Sequence, residues 1–372
     1  MRSIHSFSTF KKLGHYLYLD KALFALLSLL LAISTLTMYS AAYDFPGRFL
    51  LHLRNITVAC GIMFMIANIP PATLMRLGPI LYGAGVVLLL AVDLVGTIKK
   101  GSQRWLHIGF EFQPSELMKI ATPLMLAWYF HTYSDIRRTR LFLVAAVLLM
   151  VPVLMILKQP DLGTSILVFA AGFYIIFLAG LPWKVLFGMA GTTLLSLPFL
   201  WPMLHDYQRD RILTLLNPEA DPLGKGFQIR QAIIAIGSGG VAGKGWLQGT
   251  QGHLGFVPER STDMVLSVFS EEFGLIGIVG LLMLFSFLIV RGMQISAGAT
   301  TVFSRLMAAA MAMIIFTYVF VNIAMVSGIA PVVGIPLPFI TYGGTALVTI
   351  CIACGILAAV QRESRVGAAL RQ

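Results

Sequence analysis

Ten apolar runs, each long enough to cross a bilayer, divide this sequence from one end to the other. A transmembrane helix needs about 20 consecutive apolar residues. Runs of that length lie near 22–42, 52–69, 74–92, 114–133, 141–157, 164–180, 183–203, 264–290, 303–328 and 342–360. Only 12% of the residues are charged and the mean hydropathy is +0.84, whereas a soluble domain carries about a quarter charged residues. The sequence therefore predicts an all-α, polytopic integral membrane protein of about ten transmembrane helices, forming a single domain over 1–372.

The distribution of basic residues predicts the orientation. The first run follows Lys11 and Lys12 and exceeds the apolar core of a cleaved signal peptide, so we interpret it as an uncleaved signal anchor. With the N-terminus inside, fourteen Lys and Arg fall in cytoplasmic segments and six in the short outer loops. By the positive-inside rule both termini are cytoplasmic. The long segment of about 204–262 then forms one large extracytoplasmic loop, and loops of this length usually carry function.

Net charge and cysteine usage disfavour two other classes of function. The net charge of +11 is spread over short cytoplasmic loops, where topology and anionic lipid headgroups account for it. Nucleic-acid binding is therefore disfavoured. Cys351 and Cys354 form a lone CxxC in the last apolar run, without the second ligand pair of a zinc site, so we expect them to be packing residues.

The stretch Ile236–Gly274 carries most of the polar chemistry. Its glycine-rich part contains Lys244 and Gln248, but Ser238 and Gly245 occupy positions where a phosphate-binding P-loop needs Gly and Ser or Thr. The loop is therefore not a nucleotide site. Glycines still let the backbone approach a bulky ligand; a purely structural flexible loop is the alternative. The cationic side chains that can hold an anionic group such as a pyrophosphate are Arg211, Lys244 and Arg260.

A charged corner, Glu259 to Asp263, joins this loop to the next apolar helix. We predict a helix from Asp263, capped by Ser261 or Thr262. One face of that helix is polar, through Asp263, Ser267, Ser270, Glu271 and Gly274. Acidic groups at the mouth of a membrane helix are costly and usually functional. Asp263 is therefore a candidate general base.

Two further corners on the predicted outer side place Pro and an acid at the start of a helix. These are Pro114 with Glu116, and Pro160 with Asp161. Helix capping explains each of them alone, but Arg104 and Trp105 precede them on the same side. Glu116 and Lys119 share a helical face, either as a self-neutralising pair or as the lining of a hydrated cavity, which we favour. An enzyme outside the cell works without ATP, and a sugar linked through pyrophosphate to a membrane lipid brings its own leaving group.

These residues carry a resemblance to a known family over nearly the whole chain. The shared motifs are Gly101 to Leu106, Gln113 to Glu116, Gln159 to Thr164, His205 to Arg209, Asp221 to Gly224, 234–240, 243–251, Pro258 to Asp263, Glu271 to Gly274 and Pro336 to Gly344. In these motifs the chain resembles the SEDS (shape, elongation, division and sporulation) membrane proteins, and within them the elongation branch. Ser261 departs from the His that many relatives have before Thr-Asp, which leaves Asp263 as the candidate base.

The resemblance implies a ten-helix enzyme in the bacterial cytoplasmic (inner) membrane with its active site on the extracytoplasmic face. The enzyme would polymerise lipid II into β-1,4-linked glycan with inversion and release undecaprenyl pyrophosphate. Asp263 maps onto the essential acid. The expected substrate-binding residues are Glu116, Lys119, Arg104, Trp105, Asp161, Arg211, Lys244, Gln248, Glu259 and Arg260. The implied partners are a class B penicillin-binding protein and an elongation complex with MreC and MreD, and the implied cofactor is a divalent cation, Mg or Mn.

Three alternatives remain open at this point. An outward cavity with intramembrane charges also suits a flippase of lipid-linked precursors. A noncatalytic scaffold for a transpeptidase does not need buried Asp263 and Glu116. The division paralogue of the same family shares most motifs, but the residues at 205–209 and 243–251 and the short tails favour the elongation enzyme.

Overall fold

The computed structural model describes residues 20–99, 102–107, 111–133, 138–200, 202, 209–210, 213–215, 217 and 224–369. Ten helices of 17 residues or more lie at the ten predicted positions in these ranges. They are α1 (Lys21–Ala41), α2 (Arg48–Asn68), α3 (Pro71–Val95), α4 (Pro114–Thr132), α5 (Arg138–Lys158), α6 (Leu162–Leu178), α7 (Trp183–Leu200), α10 (Val265–Ala297), α11 (Val302–Val326) and α12 (Gly344–Ala369). Two shorter helices, α8 (Lys225–Ser238) and α9 (Thr250–His253), precede α10.

The apolar composition of these helices confirms a polytopic membrane protein. Seven of the described helices are long and apolar enough to span a bilayer, and α6 is a shorter apolar helix. Helix α11 lies at the centre of the bundle. About two thirds of its most apolar stretch is buried, and the helix contacts α3, α4, α6, α10 and α12. Cys351 and Cys354 are buried free thiols within α12, where they pack as expected.

The connection between α3 and α4 contains a small sheet that the sequence analysis did not predict. Strands β1 (Thr97–Lys99), β2 (Ser102–His107) and β3 (Glu111–Phe112) pair antiparallel in the order β1-β2-β3. The register places Thr97 opposite Trp105 and Leu106 opposite Phe112. The sheet is too short to change the fold class, but it places Arg104 and Trp105 on a hydrogen-bonded strand.

Ion pairs identify the two ends of the helical bundle. At one end, Asp20 before α1 pairs with Arg291 of α10 and Arg365 of α12. We call this the Asp20 end. At the other end, Arg260 pairs with Asp44 between α1 and α2, and Arg48 donates to the Ser261 hydroxyl at 2.6 Å. We call this the Asp263 end; it corresponds to the side that the sequence analysis places outside.

Helix α10 differs from its prediction at both its start and its middle. It begins at Val265, with Met264 at the cap position and no capping side chain, so the predicted cap by Ser261 or Thr262 is wrong. Its backbone breaks at Gly274, where φ is 62° and ψ is −162°. A Cβ atom at Gly274 would lie 2.3 Å from the Gly243 nitrogen, so only glycine fits this contact.

Candidate active site

Glu116 and Lys119 form a buried ion pair in the first turns of α4. The Lys119 Nζ donates to Glu116 Oε1 at 2.6 Å and to the Tyr318 hydroxyl of α11 at 2.9 Å. Thr349 of α12 donates to Glu116 Oε2 at 3.2 Å. Lys119 is only 2% exposed, so the pair joins three helices and makes the buried charge tolerable.

A lateral groove of about 740 Å³ opens beside this pair, between α2, α3, α4 and α12. Among the described residues, its polar lining consists of Arg54, Asn55, Glu116, Thr345 and Thr349, and apolar residues line the rest, such as Leu74, Leu81, Ile120, Leu124, Val348, Ile352 and Ile356. Glu116 therefore faces the groove, whereas Lys119 is buried behind it against Tyr318. The groove has the amphipathic character that a ligand with a charged head and a long apolar chain requires.

Asp161 is held in a second polar cluster at the same end. It occupies the N-cap of α6, where its Oδ1 accepts from the Thr164 amide at 3.1 Å, while Gln113 Nε2 donates to Oδ2 at 2.8 Å. The Arg104 guanidinium lies 3.7 Å from Oδ1 and donates to the carbonyls of Gln159 and Pro160. The structure therefore confirms that Asp161 caps a helix. Pro160 lies before the cap and is not the first residue of the helix.

Asp263 lies on a turn immediately before α10 and is half-buried. The Glu259 carbonyl accepts from the amides of Thr262 at 2.9 Å and Met264 at 3.2 Å, which closes the turn. Asn322 of α11 donates its side-chain amide to the Asp263 carbonyl at 3.1 Å. The Asp263 carboxylate borders Gly334, where an added Cβ would lie 3.3 Å from Oδ2.

Helix α11 connects the Asp263 turn to the Glu116 pair. Tyr318 contacts Lys119, and Asn322, four residues later, contacts Asp263. Residues four apart lie on one face of a helix, about 6 Å from each other. Both are fully buried. The sequence analysis missed these two residues, although a polar Asn inside an apolar run was a usable signal.

The Arg260 side chain makes its hydrogen bonds to other parts of the protein. Its guanidinium donates to the Ala41 carbonyl at 3.2 Å, to the Gly252 carbonyl at 2.6 Å and to the Asp44 carboxylate. This hydrogen bond from Arg260 holds the pKa of Asp44, which lies between α1 and α2, below its ordinary value of 3.8. The side chain is 5% exposed, so Arg260 fixes the position of the Asp263 turn.

The glycine-rich loop is docked against the break in α10. The amides of Lys244 and Gly245 donate at 3.0 Å to the carbonyls of Glu271 and Glu272, and the amide of Leu275 donates at 3.0 Å to Gly240. A broken membrane helix leaves backbone groups without partners, and each such group must be satisfied inside the protein. The glycines therefore allow close approach to α10 itself, which sequence alone does not distinguish from approach to a ligand.

The remaining predicted residues have the following environments. The Lys244 Nζ donates to the fully buried Glu271 carboxylate at 2.7 Å. Gln248 is exposed on the loop, and exposed Glu259 accepts from the Thr262 hydroxyl at 2.7 Å. Trp105 is half-buried in β2. Arg211 lies outside the described residues.

Comparisons with known proteins place the chain among cell-wall enzymes. A sequence profile of the FTSW_RODA_SPOVE family, described as "Cell cycle protein", matches residues 16–366. Peptidoglycan glycosyltransferase MrdB of Escherichia coli K12 is 46% identical over 351 residues, covering 94% of this chain and 95% of MrdB.

Two solved structures have the same fold over almost the whole chain. One is described as "Structural coordination of polymerization and crosslinking by a peptidoglycan synthase complex"; its matching chain has a TM-score of 0.81 and 30% identity, with 94% of this chain and 99% of that chain covered. The other is Rod shape determining protein RodA of Thermus thermophilus, with a TM-score of 0.70, 27% identity and coverage of 93% and 98%.

Proposed function

Because this chain belongs to the FTSW_RODA_SPOVE family of cell cycle proteins, we propose that it is a peptidoglycan glycosyltransferase that polymerises lipid II into β-1,4-linked glycan during cell elongation and releases undecaprenyl pyrophosphate. It is an enzyme of the multi-pass inner-membrane class. Similarity to MrdB and to RodA supports elongation over the division paralogue FtsW. The active site is proposed to lie at the Asp263 end, on the extracytoplasmic face.

The groove beside Glu116 is the observation that carries this proposal. Lipid II has a long polyprenyl chain and a charged pyrophosphate-sugar head, and the groove offers an apolar channel that ends in polar side chains. Burial of a prenyl chain contributes roughly 0.8 kcal/mol per methylene group. Arg54 lines the polar part of the groove and is exposed, so it is a cation able to meet the pyrophosphate.

Asp263 is proposed as the general base. Its carboxylate accepts the proton of the acceptor GlcNAc 4-hydroxyl while that oxygen attacks C1 of the donor MurNAc from the face opposite the leaving group. The bond from C1 to the pyrophosphate oxygen breaks, its electron pair stays with the pyrophosphate, and the configuration at C1 inverts. A sugar hydroxyl has a pKa far above neutral and needs a positioned base; half-buried Asp263, on a turn held by Asn322 and Arg260, fits that need.

The divalent cation implied by the resemblance stays a prediction. Among the described residues, no group of three or more His, Cys, Asp or Glu is placed to hold a metal ion. No step above is routed through such a cation. Lys244 and Arg260, predicted to hold the pyrophosphate, both have internal partners that fix the loop and the turn.

The proposed partner is a class B penicillin-binding protein that cross-links the new strand. Support comes from the solved complex in which polymerization and crosslinking are coordinated, since its matching chain shares this fold. MreC and MreD are proposed as further members of the assembly on the family resemblance alone.

Polymerisation of lipid II by the purified chain with its transpeptidase partner tests the proposal. Asp263→Asn should make no glycan polymer while keeping the wild-type unfolding midpoint, and Asp20→Asn, an acid at the opposite end, should polymerise normally. Wild-type chain length in Asp263→Asn would remove Asp263 as the base.

A flippase is the second candidate, because a lateral groove with a polar end also suits lipid translocation. Liposomes with lipid II confined to the leaflet next to the Asp263 end separate the two functions. A polymerase makes glycan from that leaflet without translocation. Appearance of lipid II in the other leaflet, with no polymer, would favour the flippase.

A further inference from the structure

Glu271 is a fully buried carboxylate whose hydrogen-bond donors come mainly from one loop. It lies in the part of α10 before the break, and its side chain is 0% exposed. The donors within 3.1 Å are the Lys244 Nζ at 2.7 Å, the Thr250 hydroxyl at 3.1 Å and the amides of Gln251 at 2.9 Å and Gly252 at 3.1 Å. A buried carboxylate is stable only when hydrogen bonds satisfy it. Glu271 therefore fixes residues 244–252 onto α10.

The loop held by Glu271 in turn holds the turn that carries Asp263. The carbonyl of Gly252, whose amide donates to Glu271, accepts from Arg260 Nη1 at 2.6 Å. Arg260 lies within the turn that begins at Glu259 and ends at Met264. A continuous series of hydrogen bonds thus runs from Glu271 through Gly252 and Arg260 to the Asp263 turn.

We propose that Glu271 is a positioning residue for Asp263. This inference rests on the proposed glycosyltransferase function. Glu271 contacts neither sugar nor pyrophosphate; it fixes the distance and angle of the Asp263 carboxylate relative to the acceptor hydroxyl. A base displaced by about 1 Å loses about 100-fold in rate, while substrate held in the groove beside Glu116 keeps its affinity.

The neighbouring Glu272 provides a matched control. It is also buried and borders the same loop near Leu247 and Gly249, but its Oε1 accepts from the Ser40 hydroxyl of α1. Glu272→Gln keeps this hydrogen bond, since the amide oxygen still accepts. The two variants make the same chemical change at adjacent buried positions. At Glu271 the Gln251 amide donates to one carboxylate oxygen and the Gly252 amide to the other, so the single acceptor oxygen of Gln can keep only one of these two hydrogen bonds.

Steady-state polymerisation by the full chain with its partner tests the proposal. Glu271→Gln should lower kcat for lipid II about 30- to 100-fold with KM within a factor of about two of wild type, and Glu272→Gln should keep kcat within about threefold. A rise in KM at unchanged kcat, or equal losses in both variants, would overturn a positioning role.

A second variant on the same series of hydrogen bonds provides a test that does not depend on whether the Glu271→Gln variant folds. Arg260→Lys keeps the charge but cannot reach both Gly252 and Asp44, so it should also lower kcat at constant KM. The double variant should be no slower than the slower single variant, because both act through Gly252. Independent, multiplicative losses would contradict the proposal.

The outcomes also separate this proposal from the function itself. Inactive Asp263→Asn with normal Glu271→Gln and Arg260→Lys would reject the positioning role alone. Full activity in Asp263→Asn, or the lack of any polymer from the wild-type chain with its partner, would reject the proposed function first.

Discussion

The Asp20 end and the Asp263 end both bury acidic groups, but they use them differently. Asp20 is 3% exposed, caps α1 through the Leu23 amide at 2.9 Å, and pairs with Arg291 and Arg365 in the C-terminal parts of two other helices. At the other end Glu116 faces a groove of about 740 Å³ and Asp263 is half-buried on a turn.

This difference separates a structural use of charge from a chemical one. Asp20 joins the start of α1 to the C-terminal parts of α10 and α12, so its contacts explain its burial. The Glu116 pair and the Asp263 turn both contact one face of α11, and Glu116 lines the groove. Ionisable residues at membrane depth that border a cavity are typical of functional sites. Variants at the Asp20 end should therefore change stability without changing activity, whereas variants at the Asp263 end should change activity.

The largest expected effect is at Lys119. Lys119→Met leaves the Glu116 carboxylate without its cationic partner, and breaking a buried ion pair costs about 3 to 5 kcal/mol. The unfolding midpoint in detergent should fall sharply, and polymerisation should be lost. The double variant Glu116→Gln with Lys119→Met removes both charges and should recover most of the stability but no activity. Normal polymerisation by the double variant would make this pair structural, like Asp20 and Arg291.

The positions of the helices could be predicted from the sequence, because each apolar run must span the bilayer by itself. The Glu116 and Lys119 contact followed from a spacing of three on one helix. Contacts between distant segments could not be predicted from the sequence. Nothing local at Gly243 or Gly274 shows that these glycines meet, and the same loop pattern suits a ligand or a broken helix. Tyr318 and Asn322 contribute only because α11 lies at the centre of the bundle.

A smaller effect is expected in the groove. Ile352 lines its apolar part, and Ile352→Phe should displace about two methylene groups of a bound prenyl chain, which raises KM about tenfold at unchanged kcat. The change should be smaller for a lipid II analogue with a short prenyl chain. Val279→Phe, on the exposed side of α10, is the control and should leave KM unchanged. An equal effect on both substrates would mean that the chain binds elsewhere.

The smallest effect concerns the pH dependence at the Asp20 end. Burial disfavours the charged form of Asp20, but the hydrogen bonds from Arg291 and Leu23 outweigh it and lower its pKa below the ordinary value of 3.8. A carboxyl group with a lowered pKa in the folded protein stabilises the fold at pH values above the unfolded pKa, and that contribution is lost as the pH falls through the folded pKa.

Asp20→Asn keeps the cap and should reduce the free energy of unfolding by about 1 kcal/mol at neutral pH. The difference between the two proteins should be constant down to about pH 5 and shrink below pH 3.8. Denaturation curves at several pH values would measure it, and polymerisation by Asp20→Asn at neutral pH should match wild type. Reduced kcat in that variant would mean that the two ends are coupled and would break the separation between them.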